Sequence, residues 1–546
     1  MHSVLTGNAG RSRGVGRTSL GASAGTLAST VIGFGRNLAL AAAIGTGLVA
    51  DSYNIANQLP NQLFLLLGGG TFAAVFVPQL MRHAKTSEDR TNEYGSLLLF
   101  AAAAFGLVIT VPLLVFSPSI IDLMGGSSWS APQRELGVQL SIWCIPQIFF
   151  LALFAMASQL MNARGRFSAV AALPMASSLI VILSCIPIIA VGAVQANSPQ
   201  MMRRWEVTLL GGATLAGTVL QTILLLAFLH RTGFRVRWRF SIRGLGLRAT
   251  AVTGLQVTAA AACFQVANVV VAALSTQAGS AAKSLGYDGR GYSAFLYASI
   301  INLAVFTAGS VGLASVLLQR LSAHHATDDH DAVGKELNNA IFRAGMLLIP
   351  ISALLVCTGT LVATTIFAHG ETTDEAAHFI GVVLMLLSLS LIPMTVCNLM
   401  LKAFYAAQNA KSALLNNVIV AGAWIVGALA SSKFLSPEDV VIGIAGSYVF
   451  AFLLVLPINI AILSRYHGFM ISRTVVRAYV IATGAATIAA AITRLGVGRL
   501  DQVISNQWAP RTLLLAGAVS AFLLIYHALT VRSQASLVRL IKWFRE

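Results

Sequence analysis

The side chain in this 546-residue chain most able to do chemistry is Arg36. It lies in Ser29-Thr-Val-Ile-Gly-Phe-Gly-Arg36-Asn-Leu-Ala-Leu, one cation inside a long apolar stretch. A charge held at bilayer depth costs about 3 kcal/mol or more, so such a residue ordinarily faces a water-filled cavity or an anionic ligand. Midway along its stretch it is too deep to snorkel comfortably to the interface. The expected chemistry is therefore capture of an anion. Asp51 follows the same stretch at its outer end. It is expected as a solvated loop carboxylate or helix N-cap, or as a second charged member of the site. Asn61, Gln62, Gln256, Gln265, Asn268 and Asn302 fall in apolar stretches. Polar side chains there seek interior partners, which makes them candidate hydrogen-bonders to a ligand. Gly68-Gly69-Gly70 interrupts another stretch. Each glycine weakens a helix by about 1 kcal/mol relative to alanine, so a hinge, or close packing through small residues, is expected there.

These residues must be carried by membrane-spanning helices. The chain is 56% hydrophobic and 10% charged, against about 25% charged in a soluble domain. Apolar runs of the roughly 20 residues needed to cross a bilayer are placed at 22–49, 57–81, 95–116, 137–161, 168–193, 207–229, 249–275, 292–318, 341–367, 378–401, 412–431, 440–464, 474–493 and 512–531. The expected fold is all-α: a polytopic membrane protein of about 14 helices, two six-helix lobes plus two C-terminal helices. With the N-terminus placed inside, lysine and arginine divide 26 to 9 in favour of the cytoplasmic segments, Arg36 aside. That asymmetry orients membrane proteins and accounts for the net charge of +17.

The expected organisation is a tail at 1–21, an N-lobe at 22–229, a basic linker at 230–248, a C-lobe at 249–464, two further helices at 465–531 and an amphipathic tail at 532–546. Ala163-Arg-Gly-Arg-Phe-Ser-Ala169 and Ala407-Gln-Asn-Ala-Lys-Ser-Ala413 occupy matching places in the two six-helix units. Transporters are often built from such repeated halves, with the substrate site between them. Phe234-Arg-Val-Arg-Trp-Arg-Phe240 and the 532–546 tail read as interfacial anchors for anionic membrane lipids.

Other chemistries are excluded or disfavoured. None of the nineteen acidic residues falls in the middle of an apolar stretch, which disfavours a carboxylate-based proton or sodium site. No Gly-x-x-x-x-Gly-Lys-Ser/Thr loop is present, so ATP is not hydrolysed through one. No nucleophile–base pair stands out, and no catalytic residue, metal ligand or cofactor is expected. His324, His325 and His330 with Asp328, Asp329 and Asp331 read as a hydrated loop. The five cysteines all lie in apolar runs without metal spacing and read as packing residues. No segment has room for a nucleic-acid-binding module.

Residues 29–80 resemble the MurJ/MviN family, the lipid II flippases of the multidrug/oligosaccharidyl-lipid/polysaccharide exporter superfamily. The resemblance runs through Ser29-Thr-Val-Ile-Gly-Phe-Gly-Arg36, Gly45-Thr-Gly, Ala50-Asp51, Leu59-Pro60-Asn61 and Gly70-Thr-Phe-Ala-Ala-Val-Phe-Val-Pro78. It continues at Leu160-Met-Asn162, Arg166-Phe-Ser168 and Pro174. It implies a flippase without catalytic activity that moves the pyrophosphate headgroup of lipid II to the outer leaflet of the bacterial inner membrane. Alternating access is the implied mechanism, and cell-wall synthesis proteins are implied partners. Arg36 matches one of the family's cavity arginines and Asp51 a functional aspartate. Elsewhere the pattern departs: Phe64-Leu65, Thr30, Ser299-Ile300 and Gly69 stand where the family carries charged residues. A flippase for another polyprenyl-linked envelope glycan, or a non-transporting scaffold for envelope synthesis, fits that loss as well.

Overall fold

The computed structural model describes residues 6–68, 88–192, 194–236, 247–325, 327, 329–501 and 508–530, without the side chains of 6–24, 59, 63–68, 88–91, 247–261, 330, 466–467, 498–501 and 508–509. Among these residues there is no strand. Twelve helices are long and apolar enough to cross a membrane, and one bent pair makes thirteen. The second expected run, 57–81, falls partly on a helix that starts earlier, at Leu48, and partly outside the described residues.

The chain forms two compact units, Met1–Gln277 and Ala278–Glu546. The division lies within a helix, beyond the 230–248 linker where the sequence suggests that the halves meet. Unit 1 contains α1 (Thr6–Ile44), α2 (Leu48–Gly68), α3 (Glu88–Val115), α4 (Ser117–Gly125), α5 (Ala131–Cys144), α6 (Gln147–Ala163), α7 (Phe167–Ala172), α8 (Pro174–Val191), α9 (Arg204–Arg231) and most of α10 (Leu247–Ser284). Here α1 lies along α7 and α8, α9 packs on α5, α6 and α8, and α2 rests on α5 and α6.

Breaks in this unit have local causes. The expected run 137–161 is two helices, α5 and α6, that meet at Ile145-Pro146; Pro146 has no N–H to continue the ladder. The first helix ends at Ile44 rather than at 49, because Gly45 turns left-handed at φ 70, a conformation that costs glycine little. The corner that follows is tied down by the Val49 N–H on the Ala196 carbonyl at 3.0 Å.

Unit 2 contains α11 (Tyr292–Phe306), a π-turn (Thr307–Val311), α12 (Gly312–His325), α13 (His330–Phe367), α14 (Asp374–Ser388), α15 (Leu391–Ala406), α16 (Ala410–Phe434), α17 (Val440–His467), α18 (Arg473–Asp501) and α19 (Trp508–Thr530). The long α13 is its axis and touches α12, α14, α15, α18 and α19. Asp329 caps it by accepting the Ala332 N–H at 3.0 Å. A Cβ placed on Gly381 of α14 would lie 2.8 Å from the Gly359 carbonyl of α13. The two backbones therefore meet without side chains between them, the contact that lipid favours for helix association. Helices α14 and α15 bend by 46° at Leu389-Ser390. The Ser352 hydroxyl of α13 caps that break by donating to the Ser388 carbonyl at 2.7 Å, satisfying an acceptor that the bend orphans.

The internal echo has a structural counterpart. In one turn Gly165 is left-handed (φ 73), and the Arg166 N–H reaches the Met161 carbonyl at 3.1 Å. In the other Gln408 is left-handed (φ 54), and the Asn409 N–H reaches the Phe404 carbonyl at 2.9 Å. The turns share one hydrogen-bond pattern, one residue out of the register in which the letters match.

Candidate functional site

Arg36 projects from α1 in unit 1 about 12 Å of helix before its end, at 1.5 Å per residue. It is partly buried, and its Nε is shielded from solvent with no hydrogen-bond partner. Its charge reaches Tyr53 of α2 and Cys185 of α8. A buried guanidinium nitrogen left unpaired loses the free energy of a hydrogen bond to water, so an anion that supplies an acceptor there binds with that free energy in hand.

A polar seam runs beside it. The Thr214 hydroxyl of α9 donates to the Leu210 carbonyl at 2.7 Å, so the Tyr53 hydroxyl donates to Thr214 Oγ1 at 3.0 Å. One helical turn on, Thr218 donates to Gln147 Oε1 of α6 at 3.1 Å. Gln147 Nε2 in turn donates to Asn57 Oδ1 of α2 at 3.3 Å. Thr222 extends the stripe with 3.1 Å to the Phe150 carbonyl. Sequence reasoning missed Tyr53, Asn57, Gln147, Thr214 and Thr218. The available signal was threonine at every fourth residue of α9, which puts 214, 218 and 222 on one face.

The expected site residues lie on α1, α2, α10 and α11. Asp51 is not a loop carboxylate: it is 1% exposed in the first turn of α2, where the helix dipole favours a negative charge. Thr276 of α10 donates to its Oδ2 at 3.4 Å. No ion pair joins it to Arg36 among the described residues. Asn61 is exposed and turned back on its own helix, donating to the Asn57 carbonyl at 2.8 Å. The Oε1 atoms of Gln62 and Gln265 are each buried without a partner. Asn268 bonds the Phe264 carbonyl at 2.9 Å, and its own carbonyl accepts from Gln58 at 3.5 Å. The Gln256 side chain lies outside the described residues. Asn302 belongs to unit 2, where its Nδ2 donates to Ser390 at 3.4 Å and its Oδ1 has no partner. Gly68 is the last residue of α2, while Gly69 and Gly70 lie outside the described residues.

Glu206 lies at the edge of its span, as expected of the carboxylates, yet it is buried. It is fully buried in the first turn of α9, with Oε2 accepting the Arg203 N–H at 2.7 Å and Oε1 without a partner. The basic run at 234–240 is anchored at its start: Phe234 is buried under the Arg164 guanidinium at 5.2 Å, and residues 237–240 lie outside the described set, as does the 532–546 tail. Among the described residues, no three of His, Cys, Asp and Glu are grouped to hold a metal ion.

A family model described as lipid II flippase MurJ matches residues 40–518. The chain belongs to that family. Among its relatives, the probable lipid II flippase MurJ of Vibrio cholerae is 25% identical over 434 residues, covering 74% of this chain and 77% of the relative. That of Rhizobium tropici is 23% identical over 395 residues, covering 71% and 70%. A solved lipid II flippase MurJ in an inward closed conformation superposes with a TM-score of 0.73 at 18% identity, over 93% of this chain and 97% of that one. An inward-facing multidrug resistance MATE family transporter gives 0.64 at 13% identity, over 81% and 98%. The all-α membrane fold is thus that of the MurJ family and of the wider superfamily. The family match begins inside α1, four residues past Arg36, and covers the whole polar seam.

Proposed function

We propose that this chain is a flippase for lipid II and moves its polyprenyl-pyrophosphate headgroup from the cytoplasmic to the outer leaflet of the bacterial inner membrane. Family membership over 40–518 supports that reading. The observation that carries the site is the buried, unpartnered Nε of Arg36 beside the Tyr53–Thr214 pair. A pyrophosphate presents the planar pairs of acceptors that a guanidinium binds through two parallel bonds. Tyr53, which the Arg36 charge reaches, is the neutral neighbour of that cation, its hydroxyl held by Thr214. The polyprenyl tail stays in lipid while the site is exposed to each side in turn. A membrane potential acts on the charged headgroup with about 2.3 kcal/mol per charge per 100 mV, which does not require a coupling carboxylate. The proposed transport cycle makes and breaks no covalent bond.

The lysine and arginine distribution supports cytoplasmic termini. Anionic lipids at the basic 230–248 linker and envelope-synthesis proteins are the proposed partners. The test is outward exposure of lipid II in cells depleted of their own flippase and supplied with this chain. Restored exposure is expected. A well-expressed chain that restores none, yet restores exposure of a different polyprenyl-linked glycan, shifts the substrate; one that restores neither leaves the scaffold reading.

A further inference from the structure

Unit 2 holds an open recess of about 780 Å³ between the first turns of α13, the loop after α17 and the start of α18. This is the end that the charge distribution assigns to the cytoplasm. Asp331, Lys335, Asn338 and Phe342 form one wall, and Met470 and Val475 belong to the other. Asn338 ties the walls together: its Nδ2 donates to the Met470 carbonyl at 3.0 Å, and its Oδ1 accepts the Ser472 N–H at 2.8 Å. The Met470 side chain stands 76% exposed, an unbranched thioether that adapts to what packs on it.

Both walls continue an interface that is filled further along the same helices. On α13, Asp331, Lys335, Asn338 and Phe342 run on at three- and four-residue steps into Met346, Ile349 and Ala353, which keeps them on one helix face. On α18, Val475 runs on in the same way into Ala478, Ala482 and Ala485. Beyond the recess these two stripes pack with Phe522 and Tyr526 of α19, and Phe342 joins that cluster at its edge. Helix α19 reaches Thr530 one turn past Tyr526, and the chain continues from there to Glu546.

In that continuation Leu537, Leu540, Ile541 and Phe544 follow one another at three- and one-residue steps, the spacing of one helix face. Leu537 to Ile541 fall about 10–16 Å of helix past Thr530, and Asp331 lies about 16 Å along α13 from Phe342. The reach and apolar spacing of the segment therefore match the uncovered part of the two stripes. Asp331 and Lys335 offset each other, so the basic segment meets no net repulsion and its apolar side chains decide the fit. The volume is that of a small-molecule site, enough for a few side chains from one face of the segment.

We propose that the 531–546 segment docks on this recess and seats Leu537, Leu540 and Ile541 between α13 and α18. The docked segment extends the interface of α19 with those two helices and keeps its apolar face on protein. Its amphipathic pattern taken alone directs that face into the headgroup layer. The inference goes beyond flipping and holds whichever headgroup is moved.

Limited trypsin digestion of the full chain in lipid nanodiscs tests it, with cleavage at Arg539, Lys542 and Arg545 followed by mass spectrometry. Discs of phosphatidylcholine alone are compared with discs that also carry phosphatidylglycerol. Gly334 lines the recess, and a Cβ built on it meets nothing within 4 Å, so the ring of Gly334→Phe enters open space and competes with the segment. Wild-type cleavage is expected to be equally slow in both discs. Gly334→Phe should be cut about tenfold faster, the factor given by about 1.4 kcal/mol of lost docking. Wild type cut as fast as Gly334→Phe overturns the proposal. Protection found only with phosphatidylglycerol also overturns it and assigns the segment to the anionic membrane surface. If Gly334→Phe does not fold, a cysteine pair decides. Leu540→Cys should form a disulfide with Met470→Cys and none with Ser322→Cys on α12, outside the recess; equal yields, or none with Met470→Cys, overturn the proposal.

Discussion

Replacing Arg36 separates a binding role from a structural one, because the two predict opposite effects on stability. Its Nε is buried without a partner, and the cation sits within α1. An arginine at the centre of a span costs about 3 kcal/mol to insert. Arg36→Ala removes that cost and loses only the packing of the aliphatic stem, so the thermal midpoint of the purified protein should hold or rise. Function should move the other way. A hydrogen bond to a charged group contributes about 1.5–3 kcal/mol, and every 1.4 kcal/mol is tenfold in affinity. Loss of the guanidinium should therefore weaken lipid II handling by about 10- to 150-fold. Arg36→Lys keeps the charge but not the planar fork and should fall between the two, since the residues are not interchangeable where two parallel bonds are made. The assay is lipid II exposure in flippase-depleted cells at matched membrane levels, alongside a thermal melt in detergent. A variant that keeps wild-type exposure, or one that loses exposure together with several degrees of midpoint, would refute the reasoning. The first outcome leaves Arg36 without a ligand, and the second makes it a structural residue.

Three further predictions follow from particular contacts. Gly381→Ala should lower the thermal midpoint, because a Cβ there meets the α13 backbone at 2.8 Å from the Gly359 carbonyl and 2.9 Å from the Thr360 nitrogen; overpacking of this kind costs about 1–3 kcal/mol. Gly484→Ala, with nothing within 4 Å of the added Cβ, is the paired control and should leave the midpoint level or raise it. Gln408→Gly should stabilise by about 1 kcal/mol, since Gln408 holds φ 54, where a side chain crowds its own backbone; a drop in the midpoint would mean that the glutamine side chain supplies a contact worth more than the strain. A cysteine replacing exposed Ser436, in the loop after α16, should react with an impermeant maleimide from outside intact cells, whereas Ser322→Cys near the end of α12 should react only after permeabilisation; the reverse pattern would invert the proposed topology.

By itself the sequence determined the class of the protein and the place of its unusual charge. Transfer of a side chain from water to lipid is a local free energy, summed along a run, so the all-α membrane architecture and the isolation of Arg36 were legible in letters alone. The repeated turn was legible for the same reason: Gly165 and the small residues around it are local signals. Partnership was not legible. Lipid and protein interior are equally apolar, so hydropathy does not say which face of a span meets another helix. Only the tertiary structure decided that Thr214 and Thr218 face Tyr53 and Gln147 across three helices, that Asp51 and Glu206 are buried in helix first turns, and that Gln408 takes the left-handed place held elsewhere by glycine. Each depends on atoms supplied by a distant stretch of chain, or on a backbone angle imposed by packing. Transfer free energies summed along a run contain neither.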